Sequence, residues 1–181
     1  MPGPVFLDGD RVRLRTIEEA DLDFLQRTIN DPRVRGSLGA TDPVNAEQER
    51  AWFEERNEDD DSVSLLVCVE GEAVGTIGLS DLDETWGRAE VGYWIAPDAW
   101  GEGYATAAVE LLAGYAFDQR RLNKLVAHAY AFNAGSRRVL EKTGFVEEGV
   151  HREEAFVDGA FVDIHRYGLL AREWHASQPE R

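Results

Sequence analysis

"AEVGYWIAPDAWGEGYATAAVELLAGYAF", residues 89–117, decides the fold. Its first seven residues place Val91, Tyr93 and Ile95 at period two, as a strand requires. Pro97 and Asp98 end that strand. Gly101 and Gly103 then flank Glu102, and a run of helix formers follows to about residue 118. A helix start has unpaired N–H groups at the positive end of its dipole. The two glycines accept backbone angles that other residues resist, and they let a ligand approach closely. An anion such as a diphosphate fits such a turn. A glycine-rich helix start with no ligand is the alternative, and this stretch alone does not separate the two. It is neither of two familiar phosphate loops: no Gly-Lys pair precedes Ser or Thr, and Thr106 stands where a dinucleotide fingerprint needs its third glycine.

Working outward, "NKLVAHAYAFN" (123–133) reads as a strand. "AGSRRVLEKTG" (134–144) reads as a short helix, with Ser136, Val139, Leu140 and Thr143 on one face and Gly144 just past its end. Two further strands flank Asp158-Gly159. Towards the N-terminus, Asp8-Gly9 marks a hairpin or a turn into a strand. Thr16 and Glu19 form a capping box for a helix carrying Leu22, Leu25 and Ile29. Asn45 caps a second helix with Trp52 and Phe53 on its apolar side. Apolar runs on either side of Glu70-Gly71-Glu72 make an antiparallel hairpin. The expectation is one α/β (α+β mixed) domain over residues 1–181, with a core from about 10 to 174 and a frayed tail at 175–181. Its sheet is mixed, mostly antiparallel and twisted, with helices on both faces.

Composition narrows the function. The chain has 181 residues, 43% of them hydrophobic, which supports a packed core despite a formal net charge of −16. No apolar run approaches the roughly 18 residues of a membrane span. "MPGPVFLDGD" has neither a basic region nor an apolar core, so no secretory leader and a cytoplasmic location are expected. The lone Cys68 reads as a buried strand residue. No basic stripe exists to meet nucleic-acid phosphates. Acidic residues are dispersed, and Lys124 and Lys142 are the only lysines. That pattern points to a halophilic source, since at 1 M salt the screening length falls to about 3 Å. An ordinary acidic protein is the alternative.

The block 89–117, "FNAGSRRVLEKTGFVEEG" (132–149), "FVDGAFVDIHRYGLLAREW" (156–174) and "RVRLRTIEEADLDFL" (11–25) together resemble the GNAT superfamily of acyl-CoA N-acyltransferases. The likeness is nearest to the RimJ/RimL-type branch, the ribosomal-protein N-terminal acetyltransferases and their relatives. It implies an acetyl-CoA-dependent N-acetyltransferase that moves an acetyl group directly to a primary amine. The acceptor would be a protein N-terminal α-amine or a small cationic amine. Relatives of this kind are commonly homodimers, and no metal is expected because the histidines and Cys68 lack metal-ligand spacing. A non-catalytic acyl-CoA-binding or sensor module is the alternative.

The resemblance also implies site residues. Trp100, Gly101, Glu102, Gly103, Tyr104, Ala105 and Thr106 would form the turn that cradles the coenzyme A diphosphate. Trp100 departs from the family's Gln or Arg, and Glu102 stands where Lys or Arg is frequent. Tyr93, Trp94 and Ile95 fall where the strand splays at a bulge, pairs with the pantetheine arm and donates to the acyl carbonyl. Arg137, Arg138 and Lys142 are candidates for the adenosine 3′-phosphate, or else solvated surface residues. Leu140 occupies the slot of a tyrosine acid in many members. Ser136, in Asn133-Ala134-Gly135-Ser136, is the donor to the thiolate that the branch implies, with helix capping as the alternative. Glu90 is a candidate base if burial raises its pKa, or else the partner of an arginine. Asp163 and His165 share a strand face, as an acceptor or relay pair or as ordinary strand residues. His128, His151, His165 and Cys68 have no metal-ligand spacing.

Overall fold

The computed structural model describes residues 2–178. Its strands are β1 (Val5–Asp8), β2 (Arg13–Thr16), β3 (Val63–Val69), β4 (Glu72–Asp83), β5 (Arg88–Ile95), β6 (Lys124–Tyr130), β7 (Val146–Val157) and β8 (Ala160–Leu170). Its helices are α1 (Leu22–Ile29), α2 (Pro32–Leu38), α3 (Ala46–Glu58), α4 (Tyr104–Asp118), α5 (Ala134–Lys142) and α6 (Ala171–Ser177). The strands form one sheet in the order β1-β2-β3-β4-β5-β6-β8-β7. Every neighbouring pair is antiparallel except β5–β6. A parallel pair needs a crossover, and α4 supplies it.

Both faces of the sheet are covered, and β3 records this in its sequence. Leu65, Leu66, Val67 and Cys68 are all buried, a continuous run rather than an alternation. Leu65 and Val67 join the main core under α4, with Leu112, Ala113 and Ala116 fully enclosed. Leu66 and Cys68 face the other way and meet Leu22 and Leu25 of α1. Trp52 and Phe53 of α3 close over that second cluster. Burial pushes the Cys68 thiol up to about 11, so it stays a neutral core group.

Several expectations shift. Thr16 is no helix cap but the last residue of β2, paired with Leu65. The capping contact sits two residues later, where the Glu18 N–H donates to Asp21 Oδ2 at 2.9 Å. A 3₁₀ turn over Glu19–Asp21 then leads into α1. Helix α2 was not anticipated, although its signals are in the chain: Asp31 accepts from the Arg33 N–H, Pro32 opens the first turn, and Gly39 ends the helix with a left-handed φ of 63°. The supposed tail at 175–181 is helical through Ser177, and residues 179–181 lie outside the described residues.

Leu140 is fully buried in the main core. Leu140→Ala should therefore lower the unfolding free energy by about 2–5 kcal/mol, measured by denaturant titration. A loss near zero would contradict that burial.

Candidate active site

Strands β5 and β6 pair at Arg88–Lys124, Ala89–Leu125 and Glu90–Val126, and then part. β5 stays laddered to β4 as far as Ile95, and β6 stays laddered to β8 as far as Tyr130. The β6-facing edge of β5 beyond Glu90 thus has backbone groups without a strand partner. The irregularity in this region lies in β4, between Ser80 and Asp83, where Asp81 has a φ of 50°. The splay was expected at a bulge in β5 itself, but that strand runs regularly through Tyr93, Trp94 and Ile95.

The open edge leads directly to the glycine turn. Trp100 fastens the junction: its indole N–H donates to the Ile95 carbonyl at 2.6 Å, while its ring remains half exposed. Gly101 and Gly103 have φ of 82° and 79°, the left-handed region that excludes most side chains. No side chain caps α4, so the N–H groups of Tyr104, Ala105 and Thr106 are left for an external acceptor. Around Gly101 a side chain would meet open space, which leaves room for a ligand beside the backbone. This turn has the shape, the dipole and the donors for a diphosphate.

On the α4 side of the sheet, the Tyr93 hydroxyl and Ser136 Oγ are 3.0 Å apart. Burial pushes the Tyr93 pKa up to about 12, against the opposing hydrogen bond from Ser136. The phenol therefore keeps its proton. Asn133 Oδ1 accepts from the Ser136 N–H at 3.0 Å, so Asn133 caps α5. Its amide also donates to the Ser37 carbonyl, and the Tyr130 hydroxyl donates to the Leu38 carbonyl. These two bonds tie the end of α2 to β6 and α5.

On the opposite side lies Glu90, which alternates away from Tyr93 along β5. Its carboxylate is hydrogen-bonded to His128 Nδ1 on β6. That bond holds Glu90 below the usual glutamate range, outweighing burial, and Arg166 and Arg88 add to it. The expected upward shift by burial is thus reversed, and the partner is a histidine rather than an arginine. A cavity of about 280 Å³ adjoins Glu90, lined also by Asp81, Arg88, Val126, Glu148 and Arg166 among others.

Residues 11–146 match the family model "Acetyltransferase (GNAT) domain". The chain belongs to the GNAT acetyltransferase family. It is 31% identical to "Uncharacterized N-acetyltransferase p20" of Bacillus licheniformis over 91% of this chain and 96% of that one. It is 32% identical to "Putative ribosomal N-acetyltransferase YdaF" of Bacillus subtilis, covering 94% and 97%. Its fold also matches a spermidine N-acetyltransferase from Vibrio cholerae, solved with CoA and spermine. That match has a TM-score of 0.86 and 24% identity, over 92% of this chain and 99% of that one. The protein is an N-acetyltransferase with acetyl-CoA as donor.

Other positions anticipated in this GNAT chain separate into engaged and open. Arg137 is committed to the Tyr167 hydroxyl at 3.2 Å and lies 3.7 Å from Glu147. Arg138 and Lys142 are exposed on α5. Asp163 accepts from the Glu153 N–H, and His165 pairs with Glu147 at 2.8 Å, so the two do not form a relay with each other. Leu140 is a core residue, which accounts for its apolar character. No helix among the described residues is long and apolar enough to cross a membrane. No group of three or more His, Cys, Asp or Glu among them is arranged to hold a metal ion. His128 carried no sequence signal: it is 38 positions from Glu90, and only the parallel register joins them.

The Glu90–His128 bond makes a pH prediction. A carboxyl depressed in the folded state stabilises fully above its unfolded pKa of about 4.3, and that gain is lost as pH falls through the folded value. Glu90→Gln should thus be less stable than wild type at pH 6–7, with the difference shrinking as pH falls below the unfolded glutamate pKa. A difference that does not change with pH in chemical denaturation would contradict the pairing.

Proposed function

We propose that this protein acetylates primary amines, with the protein N-terminal α-amine of the RimJ/RimL-type branch as its acceptor, and that the parting of β5 from β6 is where the reaction occurs. One observation supports this reading: two hydrogen-bonded side-chain pairs that can give and take protons stand on opposite faces of the sheet at that opening. Tyr93 and Ser136 lie on the α4 side, and Glu90 and His128 lie on the other. Acyl transfer uses a proton acceptor and a proton donor, since the amine loses a proton as it attacks and the thiol gains one as it leaves, and the two pairs can serve these roles.

Acetyl-CoA supplies a thioester whose acyl carbon the amine attacks, breaking the C–S bond. The residues do the rest. Backbone N–H groups of Tyr93 and Ile95, which alternate with the β4-bonded Trp94, face the open edge, hold the arm and donate to the developing oxyanion. The glycine turn, residues 100–106, binds the diphosphate through main-chain N–H groups, and Asn133 sets Ser136 in place. Arg138, exposed on the adjacent helix, meets the 3′-phosphate. Ser136 delivers a proton to the sulfur and recovers it from water, while the protonated Tyr93 hydroxyl holds Ser136 Oγ by its hydrogen bond. His128, oriented by the charged Glu90, receives the proton from the amine.

The acceptor is tested by thiol release from acetyl-CoA with N-terminal peptides, spermidine and aminoglycosides. Turnover should be fastest with the peptides. Turnover confined to spermidine would overturn the α-amine assignment and leave the acetyltransferase reading intact.

The proton roles are tested by kinetics. Ser136→Ala should lower kcat roughly tenfold or more with little change in CoA affinity, and His128→Gln should move the acid-side limb of the kcat/KM profile. Wild-type turnover in the first, or an unmoved limb in the second, would remove that residue from the mechanism.

A further inference from the structure

The turn that is read as the diphosphate site carries Glu102 in a chain of net charge −16, so main-chain donors alone would face an adverse field. A cation reaches it from far along the chain. Arg11, in the β1–β2 turn, donates from Nη2 to the Glu102 carbonyl at 2.7 Å. Its Nη1 lies 3.0 Å from where a Cβ on Gly103 would stand. Its guanidinium carbon lies 5.8 Å from the centroid of the Tyr104 ring, over its face. Three consecutive residues of the turn therefore hold one side chain.

The hairpin is placed to make this reach. Gly9 packs against α4 so closely that a Cβ there would come within 3.1 Å of Leu111 Cδ2. Phe6 sets its ring edge-on to Tyr115, with centroids 5.2 Å apart, and Val12 is buried in the core. β1 and its turn thus lie along α4, and Arg11 extends to that helix's first turn. Arg13, two residues on, is neutralised by Asp8 at 2.6 Å. Arg11 is in no such ion pair among the described residues, and it is exposed. One of its five N–H donors is spent on Glu102, so a planar fork remains for an anion at the turn.

We propose that Arg11 is a ligand of the coenzyme A diphosphate, supplying from the N-terminal hairpin the positive charge that the turn itself lacks. This rests on the reading of the glycine turn as the diphosphate site. A charged fork on a phosphate acts through direct hydrogen bonds, so its loss weakens diphosphate-bearing ligands and spares those without one. An arginine serving only as a strut for the turn would affect every donor alike.

The test is calorimetric binding of CoA and of 3′-dephospho-CoA to wild type, Arg11→Lys and Arg11→Met, with KM measured for S-acetylpantetheine, which has no phosphates. Arg11→Met should weaken both nucleotides by the same factor, on the order of ten- to a hundredfold. Arg11→Lys should retain part of the affinity, and the S-acetylpantetheine KM should stay within about twofold of wild type. Four results would overturn the assignment: unchanged Kd, weakening of CoA alone (a 3′-phosphate contact), an equal rise in the S-acetylpantetheine KM, or a loss of thermal stability that matches the loss of affinity. If wild type itself binds 3′-dephospho-CoA no better than pantetheine, the reading of the turn fails first and takes Arg11 with it.

Discussion

Three residue pairs join the two halves of this sheet. Beyond Glu90 and Val126 the strands can no longer share hydrogen bonds, and the backbone edge they leave must find partners elsewhere. The rest of the molecule depends on holding that gap open without letting the halves separate. Helix α4 does so. Its enclosed face, with Leu112, Ala113 and Ala116, sits in one core with Leu65 and Val67 of the first half and Leu125 and Leu169 of the second. The glycine turn that starts α4 is therefore both the wall of the opening and the beginning of the clasp across it. Site and stability share one element.

Much of this was legible because it depends on local pattern. The strand–turn–helix unit at 89–117 carries its own punctuation, and α3 begins at the asparagine that caps it. The hairpin turns at Glu70-Gly71 and Asp158-Gly159 take the left-handed angles their residues permit. Local pattern also misled. Thr16 and Glu19 have capping-box spacing, but pairing with β3 outcompetes the cap and extends β2 to Thr16. What a distant strand offers is not written in a four-residue window. Asp31 and Pro32 did mark α2, yet so short a helix leaves no periodic apolar stripe to draw attention to it.

The chemistry of the site was less legible than its backbone. Glu90 stood out as a carboxylate in an apolar strand, and burial alone would have raised its pKa. The charge state turns instead on His128, which arrives by the parallel register after a fifteen-residue helix. Tyr93 was placed by its main chain, while its hydroxyl proves to reach Ser136 forty-three positions away. Both cases have one cause. Side-chain partnerships across a crossover depend on register and on which way each residue points, and neither has a sequence period.

The glycine turn has a consequence for how such a chain can change over time. Its donors are main-chain groups, and a main chain is common to every residue type. What the turn demands is left-handed backbone at Gly101 and Gly103, not any particular side chain between them. Position 102 serves through its main chain, whose carbonyl accepts from Arg11, and position 100 carries an indole that ties down the Ile95 carbonyl. A motif written in backbone angles survives a wholesale shift in amino-acid usage that would erase one written in charges.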